Sequence, residues 1–152
     1  QAHLLQTVLL NALEACASAA QHKEINLHLS CDAGARAIIN AAMVEQAAIN
    51  LIDNAIKYSE TRTRVEVQAA RESDYWRVSV RDQGPGIAPQ HLPLIFDRFY
   101  RVDKARSRKA GGTGLGLSIV RHIAQAHGGR VDVQSQPGHG SVFSLLIPAA
   151  LP

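Results

Sequence analysis

A chain of 152 residues, 46% of them apolar and 19% charged, has the make-up of one globular domain and lies far from disordered or fibrous compositions. The formal charge of +3 is small, and the basic residues thicken only around Arg98, Arg101, Lys104, Arg106, Arg108 and Lys109. Without aromatic interleaving or a sustained basic helix face, that cluster points to a local anionic ligand and argues against nucleic acid. Cys16 and Cys31 lack any metal or redox spacing and read as small apolar residues of a reducing compartment. The near-apolar run from Val142 to Pro152, about 11 residues broken by proline, is too short to span a bilayer, and the N-terminus has no signal pattern.

From about Leu4 to His22, the residues Leu5, Val8, Leu9, Ala12, Leu13 and Cys16 recur at helical spacing and predict an amphipathic helix. Alternation at Ile25, Leu27 and Leu29, and a shorter run from Ala37 to Ile39, predict two short strands. Asn40 is placed to cap a helix from Ala41 to Tyr58, where Val44, Ala48, Leu51, Ile52 and Ala55 form one apolar stripe. Arg64 to Ala70 and Tyr75 to Asp82 alternate around the polar Glu72, Ser73 and Asp74, as a hairpin does. A short helical piece is expected around Gln90 to Arg98, then a basic segment to Gly112. A helix from about Gly114 to His127 follows, ended by Gly128 and Gly129. Two closing strands, one through Val131 and Val133 and one from Ser141 to Ile147, complete an α+β pattern. It predicts a two-layer sandwich with helices on one face of a mixed sheet.

Three local patterns carry chemistry. Asn50, Asn54, Lys57 and Tyr58 share one face of their helix and can meet one ligand, the amides as hard oxygen donors suited to Mg²⁺ and the lysine as a point charge for phosphate. Alone, the same face also reads as an ordinary solvated one. Asp82 is in phase with Trp76, Val78 and Val80 and therefore points inward where its strand stops. Gly84, Pro85 and Gly86 then leave room for a flat ligand whose exocyclic amine donates to the carboxylate; a turn-capping carboxylate is the plainer alternative. The run Gly111 to Leu117 puts free N–H groups and a helix dipole at one point, which suits phosphate, or else is a flexible connector. It closes with no Gly-Lys-Ser or Gly-Lys-Thr and follows no strand, so neither a Walker loop nor a dinucleotide fingerprint fits.

In this order the patterns resemble the catalytic ATP-binding domains of bacterial sensor histidine kinases, within the superfamily shared with gyrase, the large ATP-dependent chaperones and MutL. Asn50 to Tyr58 resembles the N box of that family, Asp82 to Ile87 its G1 box, Phe96 to Arg101 its F box and Gly112 to Leu117 its G2 box. The resemblance covers nearly the whole chain and implies a Bergerat-type fold, one domain over residues 1–152, with ATP and Mg²⁺ as ligands. It implies that Asn54 with Asn50 holds the metal, that Lys57 and Tyr58 meet phosphate and ribose, and that Asp82 reads the adenine amine. Arg101 and Arg106 become the phosphate contacts of a mobile lid running from Arg101 to Gly112. Gly84, Gly86, Ile87, Phe99, Gly112, Thr113, Gly114, Leu115, Gly116, Leu117 and Ser141 complete the nucleotide site.

Two departures sharpen this reading. Hydrolytic relatives carry a glutamate four residues before the metal asparagine, where this chain has Asn50, and an amide is no general base. None of the seven histidines precedes an acidic residue, as a phosphoacceptor histidine does. The resemblance therefore implies a catalytic piece that phosphorylates a histidine on a separate dimerisation domain of the same protein. That protein would serve a cognate response regulator as a homodimer anchored in the inner membrane, and this piece alone would be a monomeric cytoplasmic domain. A serine kinase of the same fold and a degenerate ATP-sensing scaffold are the competing readings.

Overall fold

The structure, a computed structural model, describes residues 1–102 and 115–149. Strand β1 (Ala2–Leu4) runs directly into helix α1 (Leu5–His22), which buries Leu5, Val8, Leu9, Ala12, Cys16 and Ala20. Strands β2 (Asn26–Cys31) and β3 (Arg36–Ile38) precede helix α2 (Ala41–Tyr58). The Asn40 side chain caps that helix, accepting the Met43 N–H at 3.1 Å. Strands β4 (Arg64–Glu72) and β5 (Tyr75–Asp82) form the expected hairpin. A 3₁₀ turn follows at Pro89–Leu94, then helix α3 (Gly116–Ala126) and strands β6 (Arg130–Ser135) and β7 (Ser141–Pro148).

Five strands form one sheet in the order β2-β4-β5-β7-β6, parallel between β2 and β4 and antiparallel elsewhere. The parallel pair requires a crossover, and α2 lies within it. The inward faces of β4, β5 and β7 supply Val65, Val67, Val78, Val80, Phe143, Leu145 and Ile147, which join the helix residues Val44, Leu51, Ile52, Val120 and Ile123 in one core. Each fully buried aliphatic side chain contributes about 1.5–3 kcal/mol to stability, so this face fixes the position of α2 over the sheet. On the opposite face Leu146 is also buried, paired in register with Arg77 on one side and Arg130 on the other. Arg77 in turn pairs with Glu72 and Asp132, so charged head groups reach water while their stems cover the sheet.

The two short strands expected between the first two helices are both present, and the second, β3, does not pair with β2. Its residues pair antiparallel with β1 in a separate two-stranded sheet, with Ala2 opposite Ile38, a partner too short to show periodicity. The helical piece expected up to Arg98 is a 3₁₀ segment ending at Leu94, because Pro93 inside it has no N–H to continue an α-helix.

The helix ends also follow from sequence. At the end of α3 the Gly129 N–H reaches the Ala124 carbonyl and the Gly128 N–H the Gln125 carbonyl, the paired bonds of a Schellman stop. His127 joins this end to α2: its Nδ1 lies 2.8 Å from the Ile123 carbonyl, while its Nε2 accepts the Asn40 N–H at 3.1 Å. With a carbonyl at Nδ1, that atom carries the proton and Nε2 is the acceptor. His127 is a structural tie between two helices.

Candidate nucleotide site

A cavity of about 580 Å³ opens between α2, the ends of β5 and β7, the segment through Tyr100 to Val102 and the start of α3. Its wall includes Asn50, Asn54, Lys57 and Tyr58 from α2, as the helix spacing predicts. Asp82, Gly86, Ile87, Arg101, Leu115, Gly116, Leu117 and Ser141 complete the expected lining. Gly84 lies behind the wall rather than in it. A Cβ there would stand 2.5 Å from the Tyr58 carbonyl oxygen, so the absence of a side chain lets the turn after β5 seat against the end of α2. Gly86 has φ +77 and an added Cβ would fall 2.0 Å from the Gln136 carbonyl oxygen. Phe99 is not brought to the cavity. Its φ of +64 turns the ring outward, 62% exposed, with the Arg98 guanidinium 5.4 Å over its face, and Tyr100 lines the cavity instead. Arg106, Gly112, Thr113 and Gly114 lie outside the described residues.

Asp82 is the buried charge of the site, 6% exposed at the inner end of the cavity. One carboxylate oxygen accepts the Gly84 N–H at 2.9 Å. Burial pushes its carboxyl above the ordinary carboxylate range, and hydrogen bonds from the backbone of Gly84 and Ser141 pull part of the way back. Strand register sets the neighbourhood: Asp82 of β5 lies opposite Ser141 of β7, which lies opposite Ser135 of β6. Three polar residues therefore form a row across an otherwise apolar end of the sheet.

On α2, Lys57 pairs with Asp53 at 3.0 Å, one turn apart. Asp53 was not singled out from sequence, although its place between Asn50 and Lys57 on the same face was the signal available. The Asn50 side chain accepts from Gln46 at 3.2 Å, while its own amide nitrogen is buried without a partner. Turning that amide over together with the Gln46 amide keeps the bond between them, with Asn50 now the donor, and puts the Asn50 carbonyl oxygen at the unpartnered position. Two amide oxygens on one face suit Mg²⁺, which keeps waters and phosphate oxygens as its other ligands, so the residues fit that ion. Among the described residues no group of three or more His, Cys, Asp or Glu side chains could hold a metal.

The segment from the 3₁₀ turn to Val102 is anchored from below. Phe96 is buried edge-on against Phe143 at 6.0 Å, and Asp97 pairs with Arg121 of α3 at 3.0 Å. Tyr100 is held through its hydroxyl by His91 Nδ1. Sequence reasoning missed Tyr100, Ile95, Val102, Ile119 and Phe143 as cavity residues, because each reads locally as core or surface.

The fold and the cavity define a nucleotide-binding domain of the ATPase type. The chain belongs to the histidine kinase-, DNA gyrase B- and HSP90-like ATPase family, whose profile matches residues 39–151. Among curated relatives it is 42% identical to the sensor-like histidine kinase SenX3 of Mycolicibacterium smegmatis over 130 residues, covering 86% of this chain and 34% of that protein. It is 48% identical to the sensor histidine kinase YkoH of Bacillus subtilis over 102 residues, covering 67% of this chain and 22% of that one. This chain thus spans about a third or less of the length of these relatives. The catalytic domain of histidine kinase ThkA superimposes with a TM-score of 0.85 at 25% identity, covering 98% of this chain and 95% of that one. Full-length ShkA in complex with AMPPNP gives 0.83 at 28% identity, covering 100% and 32%. The mixed, mostly antiparallel sheet with its helices is the fold of histidine kinase catalytic domains, as the sequence led us to expect. Among the described residues no helix is long and apolar enough to cross a membrane.

Proposed function

We propose that this chain binds Mg-ATP in the cavity and donates the γ-phosphoryl group to a histidine on a separate dimerisation domain of the same protein, in two-component signal transduction. The observation that carries this reading is Asp82. A buried carboxylate with a raised pKa at the closed end of a cavity needs a donor, and the adenine amine supplies one. In this reading Tyr58 and Lys57 face ribose and phosphate, and Ile87 and Leu117 sandwich the base. Arg101 together with Arg106 neutralises the γ-phosphate, and the backbone of Gly112, Thr113, Gly114, Leu115 and Gly116 cradles the phosphates. Asn54 and Asn50 hold the cation, which when bound screens phosphate charge.

The reaction asks of these residues positioning and charge neutralisation rather than covalent chemistry. A histidine nitrogen attacks the γ-phosphorus, the bond to the bridging oxygen breaks, and ADP leaves. With an amide at Asn50 where a general base would stand, water is not activated and the phosphoryl group is kept for the histidine. The phosphohistidine then serves a cognate response regulator. Residues 1–152 act as one monomeric cytoplasmic domain of a homodimeric protein anchored in the inner membrane.

The test is incubation with γ-labelled ATP, with and without a dimerisation domain carrying the acceptor histidine. The expected result is acid-labile label on that domain and none on this chain. Stoichiometric label on one of this chain's own histidines overturns the division of labour. Absence of nucleotide binding moves the chain to a scaffold role.

A further inference from the structure

Ser135 of β6 does not line the cavity, yet its hydroxyl is the hub of the cavity floor. The oxygen receives the Ile87 N–H at 2.7 Å, lies 3.0 Å from the Gly140 carbonyl and 2.7 Å from the Ser141 hydroxyl. A serine hydroxyl has one proton to give. An N–H can only donate and a carbonyl can only accept, so the Ser135 proton goes to Gly140, and Ser135 accepts from Ile87. The remaining contact is then satisfied in one way: the Ser141 hydroxyl donates to Ser135.

Ser141 is 6% exposed and faces the cavity beside Asp82. With its single proton spent on Ser135, it shows the cavity only lone pairs. The floor therefore presents acceptors alone, the Asp82 carboxylate and the Ser141 oxygen.

We infer that Ser135 is a positioning residue that fixes Ser141 as an acceptor and so makes the floor of the cavity selective for a purine bearing an amine, against one bearing a carbonyl in its place. The inference rests on the reading of the cavity as an ATP site. An exocyclic amine has two N–H bonds and can give one to each floor group. A carbonyl oxygen there faces two acceptors and leaves buried polar groups unpaired, the arrangement that sites built for hydrogen bonding reject most strongly. Removing the Ser135 hydroxyl frees the Ser141 proton to rotate toward the ligand, which relieves that mismatch.

The experiment measures affinities of the chain for ATP and for inosine triphosphate, which differs in the exocyclic group and the N1 proton, by competition against one fluorescent nucleotide. Wild type, Ser135→Ala and Ser141→Ala are compared, with Ser135→Thr as the variant that keeps the hydroxyl. The expected result is a wild-type preference for ATP that falls by about fivefold or more in Ser135→Ala and in Ser141→Ala, and survives in Ser135→Thr. If Ser135→Ala weakens both nucleotides equally, its role is only to hold the Ile87 and Gly140 turns, and the proposal is overturned. An unchanged ratio in Ser141→Ala overturns it as well, even if Ser135→Ala does not fold. A wild type that binds neither nucleotide instead refutes the ATP reading itself and takes this inference with it.

Discussion

Replacing Asp82 with asparagine tests the site at its most constrained atom. Asparagine has almost the same shape, so its carbonyl oxygen can keep the Gly84 N–H that the carboxylate accepts at 2.9 Å. The other terminal group becomes an NH₂ directed at the position of the adenine amine, so a donor meets a donor. The change removes a charge-assisted hydrogen bond and leaves a buried donor unpaired; together these come to about 3 kcal/mol or more, a loss of a hundredfold or greater in ATP affinity. Stability should move the other way. Burial raises the Asp82 pKa in the folded state, so the folded chain holds this proton more tightly than the unfolded one. Its contribution to stability is complete below the unfolded carboxylate pKa of about 4 and is lost as pH rises through the higher folded value. The Asp82→Asn chain should therefore melt at or above wild type at neutral pH, with the difference narrowing toward acid. Calorimetric titration with a non-hydrolysable ATP analogue, together with melting curves between pH 4 and 8, reads both effects. Binding within about threefold of wild type, or a lower melting temperature at pH 7, refutes the reasoning.

Asn54→Ala should leave metal-free binding of adenosine nucleotides nearly intact and abolish the gain in affinity on adding Mg²⁺, read by titration with and without the ion. Gly86→Ala puts a Cβ 2.0 Å from the Gln136 carbonyl oxygen at φ +77, which should cost about 2 kcal/mol or more in a denaturant melt and weaken nucleotide binding with it. Lys23 donates from its ammonium to the carbonyls of Ile56 and Lys57 at 2.8 and 2.9 Å, capping the end of α2 that carries Lys57 and Tyr58. Lys23→Met keeps the stem and loses the donors, with an expected cost of about 1–3 kcal/mol in the same assay. Burial and the nearby Asp53 charge push the Cys16 thiol up to about 11, so at pH 8 only about a thousandth of it is thiolate. A disulfide reagent should label Cys31, which is half-buried, well before Cys16; fast labelling of both would contradict the packing of α1 against α2.

The sequence alone determined the elements whose periodicity is long. Helix α2 lies over Ala41–Tyr58 as its stripe predicts, with Asn40 as its cap, β5 falls where alternation places it, and β7 begins at Ser141 as expected. It also determined which helix face meets the cavity, since a helix of known phase fixes where Asn50, Asn54, Lys57 and Tyr58 point. What depends on pairing between distant segments was decided only by the tertiary structure. β1 has three residues and no pattern of its own, and it exists because β3 pairs with it. Phe99 and Tyr100 are adjacent aromatics of similar local character; the positive φ at Phe99 and the His91 contact of Tyr100 decide which one faces the ligand. Ser135 carries no sequence signal, because its role comes from a register that sets β6 beside β7 and from one proton shared among three partners. Local spacing encodes direction along one element, whereas a hydrogen-bond hub is a property of several elements at once and becomes visible only when they are assembled.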